Sequence, residues 1–413
     1  MKQTAIVLGG TVAHIELLQN LHLRGYYTVL VDYLPTPPAQ KFADKHLQVS
    51  TLNYQEVLNI TKKFNAKLII STSVDQANII ACQVAETLGL TKPYSSEIAK
   101  TIGNKKSMKE VLFKLGIRTA NYTVLDGSMD FVSAIKYPVV VKPVDGNGSK
   151  GVRLVYSEIE KHKYFLKALE ASRIKEIIVE EYVEGKELTI NAFVIDSKVE
   201  IFLIVQKHVV INDGEISSAV CSIIPYPVND QILAEIKEIG SRLSVGFEFN
   251  NCPLIMQFIL SGDDLFLIEF SARIGGGMSQ RMTKRYFGID LIAASVDSYL
   301  NMPIRFDKMD VFEGFISTNH LYYKEGTLFG FEGHEELIDE GIIDEIHFHK
   351  QMNSSIGRGL ASSDRVASFI ASAKTLNELR MKVKKALKNL KCMDINGKEI
   401  ELKPIYDLSC LED

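Results

Sequence analysis

Short β-branched runs alternate with amphipathic stretches along the first 92 residues. "TAIVLGG" (4–10) predicts a strand and a tight turn, and His14–Leu23 puts Ile15, Leu17, Leu18 and Leu21 on one side of a helix. "YTVLVD" (27–32) is a second strand, and "AKLIIST" (66–72) a later one before a helix through "QANIIACQVAETLGL" (76–90). Strands alternating with helices predict a parallel sheet covered on both faces, with a ligand crevice at the strand ends near Gly10, Asp32 and Ser73–Asp75. Gly9-Gly10 opens a turn, but the spacing G-x-G-x-x-G is absent, which argues against nicotinamide or flavin.

The texture changes at Lys92-Pro93. A helix around "NKKSMKEVLFKLG" (104–116) precedes "RTANYTVL" (118–125) and "IKYPVVVKPVDGNGSKGVRLVYS" (135–157), a Pro-started strand, a glycine loop and a return strand. A helix over Glu158–Ala171 follows, and then "EIIVEEYVEGKELTINAFVI" (176–195) reads as one strand. "PLIMQFILSGDDLFLIEFSAR" (253–273) is a hairpin turning at Gly262-Asp263-Asp264, and antiparallel pairs make this region α+β. Beyond about residue 305 come shorter strands, "EIHFHK" (345–350) and "RVASFIASA" (365–373), and the helix "LNELRMKVKKALKNL" (376–390), a smaller third unit. No tandem repeat or low-complexity tract interrupts the pattern.

Composition narrows the classes. With 413 residues and 46% hydrophobic content the chain can build several cores. A net charge of -4 gives no electrostatic case for nucleic acid or an anionic membrane as partner. No apolar run reaches the length of a membrane span, and "MKQTAIVLGG" reads as a first strand rather than a signal peptide. Five scattered cysteines (82, 221, 252, 392, 410) without a CxxC pair suggest a reducing compartment, so a cytoplasmic protein is expected.

Several stretches carry candidate chemistry, each with an ordinary structural alternative. "VVVKPVDGNGSKGV" (139–152) delivers Lys142 at a strand end before a Gly-rich loop. It is either a hairpin or a phosphate clamp of backbone N–H groups beside an ammonium. "VEEYVEGKEL" (179–188) is either a solvated acidic turn or a strand end that meets an adenine edge, with Glu187 accepting from ribose hydroxyls. Strict alternation in the hairpin puts Glu269, Ser271 and Arg273 on one face and Ile268, Phe270 and Ala272 on the apolar face, with Gln257 across from Glu269. A carboxylate, an amide oxygen and a hydroxyl suit a hard cation such as Mg²⁺, and Arg273 could fork onto phosphate oxygens. In "IGGGMSQRM" (274–282), Gly276 and its neighbours allow close backbone approach, and Arg281 or Arg285 could reach a substrate carboxylate; a flexible turn before a helix is the alternative.

The order of these pieces resembles the ATP-grasp superfamily of carboxylate–amine ligases, which includes carbamoyl phosphate synthetase, biotin carboxylase, D-alanine–D-alanine ligase and the L-amino-acid ligases. The resemblance runs through "LGLTKPYSSEIAKTIGNKKSMKEVLFKLGI" (88–117), "YPVVVKPVDGNGSKGV" (137–152), "VEEYVEGKEL" and "QFILSGDDLFLIEFSARIGGG" (257–277). It implies an α/β and α+β, ATP-grasp architecture: an N-terminal Rossmann-like parallel-sheet domain (1–92), a nucleotide-binding domain (93–304) with a lid at about 118–185, and a small C-terminal α+β domain (305–413). By position it implies that Lys105 and Lys142 contact nucleotide phosphates. Gly146, Gly148, Ser149 and Gly151 would form the mobile loop, Glu180, Glu181, Tyr182 and Val183 would hold adenine, and Glu187 the ribose. Gln257, Glu269 and Ser271 would be metal ligands, and Arg273 would steady the transferring phosphoryl group. Two positions depart from the usual pattern, Gln257 for an acid and Ser271 for an asparagine, leaving Glu269 the sole anionic ligand.

The implied function is an ATP- and Mg²⁺-dependent ligase, with Mn²⁺ as an alternative cation. It activates a small carboxylate, for instance an amino acid, as an acyl phosphate and joins it to an amine. The rivals are a carboxylase, a formyl-transferase-type enzyme acting on bicarbonate or formate, and a nucleotide-binding protein without turnover. Partners are small molecules, not nucleic acid or membrane, with a homodimer allowed.

Overall fold

The structure, a computed structural model, describes residues 2–126, 135–306 and 311–406. Cys410 lies outside them, and the other four cysteines are buried.

The first sheet is parallel. Its order is β3-β2-β1-β4, with β1 Thr4–Leu8, β2 Tyr27–Asp32, β3 Lys45–Gln48 and β4 Leu68–Ile70. Ala5, Val7 and Leu30 pack on one face and Ile6, Leu8, Val29 and Val31 on the other, so the apolar runs read as continuous because both faces are covered. Helix α1 (Ala13–Leu23) covers the first face together with helix Leu291–Tyr299, which arrives from much later in the chain. Helices α2 (Tyr54–Lys63) and α3 (Asp75–Leu88) cover the other. Two further helices, α4 (Ser96–Ile102) and α5 (Lys105–Lys114), are each started by a side-chain cap: Ser95 accepts from the Ile98 N–H and Asn104 from the Ser107 N–H.

A six-stranded sheet follows, built from β5 Tyr122–Leu125, β6 Val139–Pro143, β7 Arg153–Val155, β8 Ile177–Glu181 and two short strands at 211–212 and 215–216. The third sheet has eight strands. It contains β9 Lys186–Ile195, β10 Lys198–His208, β13 Cys221–Ile224 (β11 and β12 being the short pair), β14 Cys252–Ser261, β15 Asp264–Ser271 and β16 Phe315–Leu321, joined by Ala367–Ala373 and Glu345–Phe348. The sheet therefore runs unbroken from the hairpin at 252–271 into the strands after residue 305.

Two local expectations need correction. The stretch 176–195 is two strands in different sheets, broken at 182–185. Gly185 lies against the Leu260 backbone, where a Cβ would overlap the Leu260 carbonyl, so the chain changes sheets at the one residue without a side chain. In β15 the alternation changes phase. Leu265 and Leu267 are core residues, and so are Phe270 and Ala272, because a bulge opposite Gln257 and Phe258 inserts one residue. Ile268 is therefore half-buried and turned to the cleft, not to the core with Phe270.

Candidate active site

One face of the eight-stranded sheet is the floor of a cavity of about 870 Å³. Across the strands, Glu269 pairs with Gln257, Gln257 with Thr189, and Thr189 with Val205. In the next row Glu187 pairs with Lys207, Lys207 with Ser222, and Ser222 with Thr318. All of these line the cavity, so the polar residues that interrupt otherwise apolar strands converge on one surface.

Lys105 is placed by the start of α5. Its backbone N–H donates to the Val144 carbonyl at 2.9 Å, which ties the helix to the end of β6. Its ammonium then donates to the Gly146 carbonyl at 2.7 Å and lies 3.6 Å from Glu269. Lys142, on β6, donates to Glu180 at 2.5 Å, its diagonal neighbour on β8, and Lys109 of α5 reaches the same carboxylate at 3.0 Å. Burial raises the Glu180 carboxyl, but the two ammoniums more than offset it and hold it down at about 2. Burial in turn pushes Lys109 below the usual lysine range. A carboxyl depressed in the fold contributes stability above its unfolded value near 4.5 and loses it as pH falls toward 2. Urea midpoints should thus drop on acidification through about pH 4.5, and the drop should shrink in Glu180→Gln, which has no carboxyl to protonate.

The glycine loop is clamped at three points. The Asn147 amide donates to Gln76 of α3 at 2.6 Å, the Ser149 hydroxyl to the Ser217 carbonyl at 3.2 Å, and the Ser362 N–H to the Gly148 carbonyl at 3.0 Å. Gly148 has φ +61°, a backbone conformation that favours glycine, and a Cβ there would push the Ser362 hydroxyl aside. Gly146, Gly148 and Ser149 line the cavity, whereas Gly151 packs against Ala171 and Pro143 at the base of the loop.

Glu180, Glu181, Tyr182 and Val183 all line the cavity. The Glu181 N–H donates to Asn121 and the Tyr182 N–H to Pro138, at 2.9 and 3.3 Å, while the Val183 N–H has no partner among the described residues. Glu187 is ion-paired with Lys207, whose ammonium also donates to the Gln257 amide oxygen at 3.4 Å.

Three residues stand differently from expectation. Ser271 is buried and donates to Asp75 at 2.5 Å rather than lining the cavity with Gln257 and Glu269. Arg281 also stays outside the cavity wall, because Glu16 and Glu345 take its guanidinium at 3.0 and 2.8 Å. Arg285 is taken by Asp344 at 2.7 Å. Gly276 does line the cavity, close to the Ser73 carbonyl. Asp75, at the first turn of α3, was legible only as part of a strand-end crevice. It receives Arg273 through both Nε (2.7 Å) and Nη2 (2.5 Å). Burial raises this carboxyl, and Arg273, the larger of the opposing influences, brings it below the usual range, so the pair is ionic.

Comparison with known proteins bears on the fold. Residues 103–277 match the family described as "Phosphoribosylglycinamide synthetase, ATP-grasp (A) domain". Among curated relatives, the C-terminal section of the carbamoyl phosphate synthase large chain of Aquifex aeolicus is 23% identical over 272 residues, 63% of this chain and 49% of that protein. The chain spans still less, 16%, of a multifunctional relative from Neurospora crassa. Two solved structures share the fold of this chain over nearly its whole length. The L-amino acid ligase from Bacillus licheniformis has a TM-score of 0.78 at 18% identity, covering 95% of this chain and 99% of its own. The biotin carboxylase domain of the Hydrogenobacter thermophilus 2-oxoglutarate carboxylase, solved as a dimer with MgADP, ADP and bicarbonate, has a TM-score of 0.76 at 16% identity, covering 97% and 92%. Among the described residues no helix is long and apolar enough to cross a membrane.

Proposed function

We propose that this chain is an ATP-dependent ligase that phosphorylates a small carboxylate and joins the acyl group to an amine, releasing ADP and phosphate. The observation that carries the reading is the single cavity floor on which Glu269 and Gln257 stand in register beneath Lys105 and the closed glycine loop.

In this reading the Val183 N–H and its neighbours meet adenine, Glu187 meets ribose, and Lys142 and Lys105 meet the phosphates. Residues 1–92, 93–304 (lid about 118–185) and 305–413 serve as the three working parts, with the eight-stranded sheet shared by the last two. The metal site fits a hard cation. Two lysine ammoniums already lie on the Glu269 and Gln257 oxygens, at 3.6 and 3.4 Å, so this pair of oxygens draws positive charge. Ser271, committed to Asp75, leaves two protein ligands, which suits an ion that keeps water and nucleotide phosphates in its shell. A bound Mg²⁺ would neutralise charge on the phosphate oxygens. The chain's own residues do the rest by position and charge. Arg273 faces the transferring group from a fixed Asp75 anchor, and the clamped loop keeps water from the acyl phosphate until the amine attacks.

The direct test is a screen of carboxylates and amines scored by ADP release, with bicarbonate and formate included; ADP formed with those two alone would replace the ligase reading. Asp75→Asn should lower kcat by about 100-fold, as expected for a misplaced group, while the KM for ATP stays nearly constant. Steady-state kinetics decide it, and an unchanged kcat would detach Arg273 from phosphoryl transfer.

A further inference from the structure

The cavity continues well past the nucleotide end. From β15 to β16 the floor crosses five interstrand spacings, roughly 24 Å along the sheet, leaving room beyond the phosphates for two small substrates. At its far end lies Arg365, 5% exposed and part of the wall. Its Nε donates to the Tyr322 hydroxyl (3.1 Å), and Nη2 to the Ser218 hydroxyl (2.6 Å) and the Ala219 carbonyl (3.2 Å). Among the described residues Arg365 makes no ion pair, and Nη1 makes no hydrogen bond. A buried guanidinium without a counter-charge is costly and calls for an anion.

The surroundings qualify that anion. The Ser368 hydroxyl lies 2.6 Å from both His320 Nδ1 and His349 Nε2, and the buried His208 Nε2 has no partner. All three imidazoles line the cavity. Burial, and after it the Arg365 charge, pushes His320 and His349 far below the usual histidine range, so both rings are neutral at physiological pH. A fixed cation beside neutral ring nitrogens matches a carboxylate that carries a neighbouring ammonium. Arginine takes the first and an imidazole accepts from the second.

The same corner touches the loop. Ser149 rests on Ser217 and Gly148 on Ser362, and these two short segments carry the partners of Arg365 and Arg365 itself.

We infer that Arg365, with His208, His320 and His349, holds the free carboxylate of the amine substrate, which makes that substrate an amino acid and ties its arrival to loop closure. The inference rests on the ligase reading for the substrate's role, but the anion subsite can be tested apart from it. The reacting acid must present its carboxylate at the Glu269–Arg273 end, so the Arg365 end is left to the second substrate.

The experiment loads the full chain with Mg²⁺ and a non-hydrolysable ATP analogue and measures thermal midpoints with a pool of common L-amino acids or the same pool as C-terminal amides. The free acids should raise the midpoint and the amides should not. Arg365→Gln should need about 10- to 100-fold more amino acid for the same rise, with its response to the nucleotide unchanged. Because Arg365 also bonds Tyr322 and Ser218, His208→Gln serves as the second variant. Its Nε2 supports nothing in the fold, and it should weaken the amino-acid response at least several-fold. Equal stabilisation by both pools, stabilisation by neither, or variants that respond like the parent would overturn the subsite. Parallel assays with ATP separate the two readings. Stabilisation by acids without ADP release keeps the subsite and removes the ligase, whereas ADP release that treats acids and amides alike does the reverse.

Discussion

Glu269→Gln is expected to reduce ADP release by about 1000-fold or more while ATP still binds. The side chain is the only carboxylate of the Glu269–Gln257 pair, and its charge is matched in this structure by Lys105 at 3.6 Å. Turning it into an amide keeps the shape and removes the one anionic oxygen able to hold a hard cation against the phosphates. The measurement is turnover across a Mg²⁺ titration, with nucleotide affinity followed by calorimetry. Activity near the parent level at low Mg²⁺ would move the metal site elsewhere.

A comparably large effect, on stability, is expected for Glu180→Gln. This carboxylate is 4% exposed and holds two ammoniums, Lys109 at 0% and Lys142 at 10% exposure. Removing the shared anion leaves like charges facing one another out of reach of water. Breaking a buried ionic group in this way costs about 3–5 kcal/mol. Equilibrium unfolding in urea near neutral pH should show that loss. The double variant Lys109→Met/Glu180→Gln should recover part of it, since one of the two stranded charges is then gone. A loss below about 1 kcal/mol in the single variant would mean that the lysines find other partners or shed a proton at little cost.

Much of this site could be read from the chain because its signals are local. The strand-loop-strand around Lys142, the Gly262-Asp263-Asp264 turn that sets Gln257 opposite Glu269, and the glycines that let the loop close each lie within one short stretch. Most of the errors come from contact between segments far apart in sequence. Ser271 and Arg273 point as alternation demands, yet their partner Asp75 comes from the first turn of α3, 196 and 198 positions away. Arg281 looked available because Glu16 and Glu345 lie in other parts of the chain. Ile268 changed faces through a bulge that leaves no mark on composition. Lys109 did carry a signal: it follows Met108 and precedes Leu112 on the buried side of α5, and a lysine on an apolar stripe calls for a buried anion. Arg365 and its histidines had none, being gathered only when the strands after residue 305 join the floor.

The central claim is that the γ-phosphoryl group passes to a carboxylate oxygen before the amine attacks. It is tested most directly by turning the enzyme over with acids labelled with ¹⁸O in their carboxyl groups and weighing the released phosphate by mass spectrometry. An acyl phosphate leaves one labelled oxygen on each phosphate when the amine displaces it, and the account predicts that result. ADP formed together with phosphate that carries no label would contradict it.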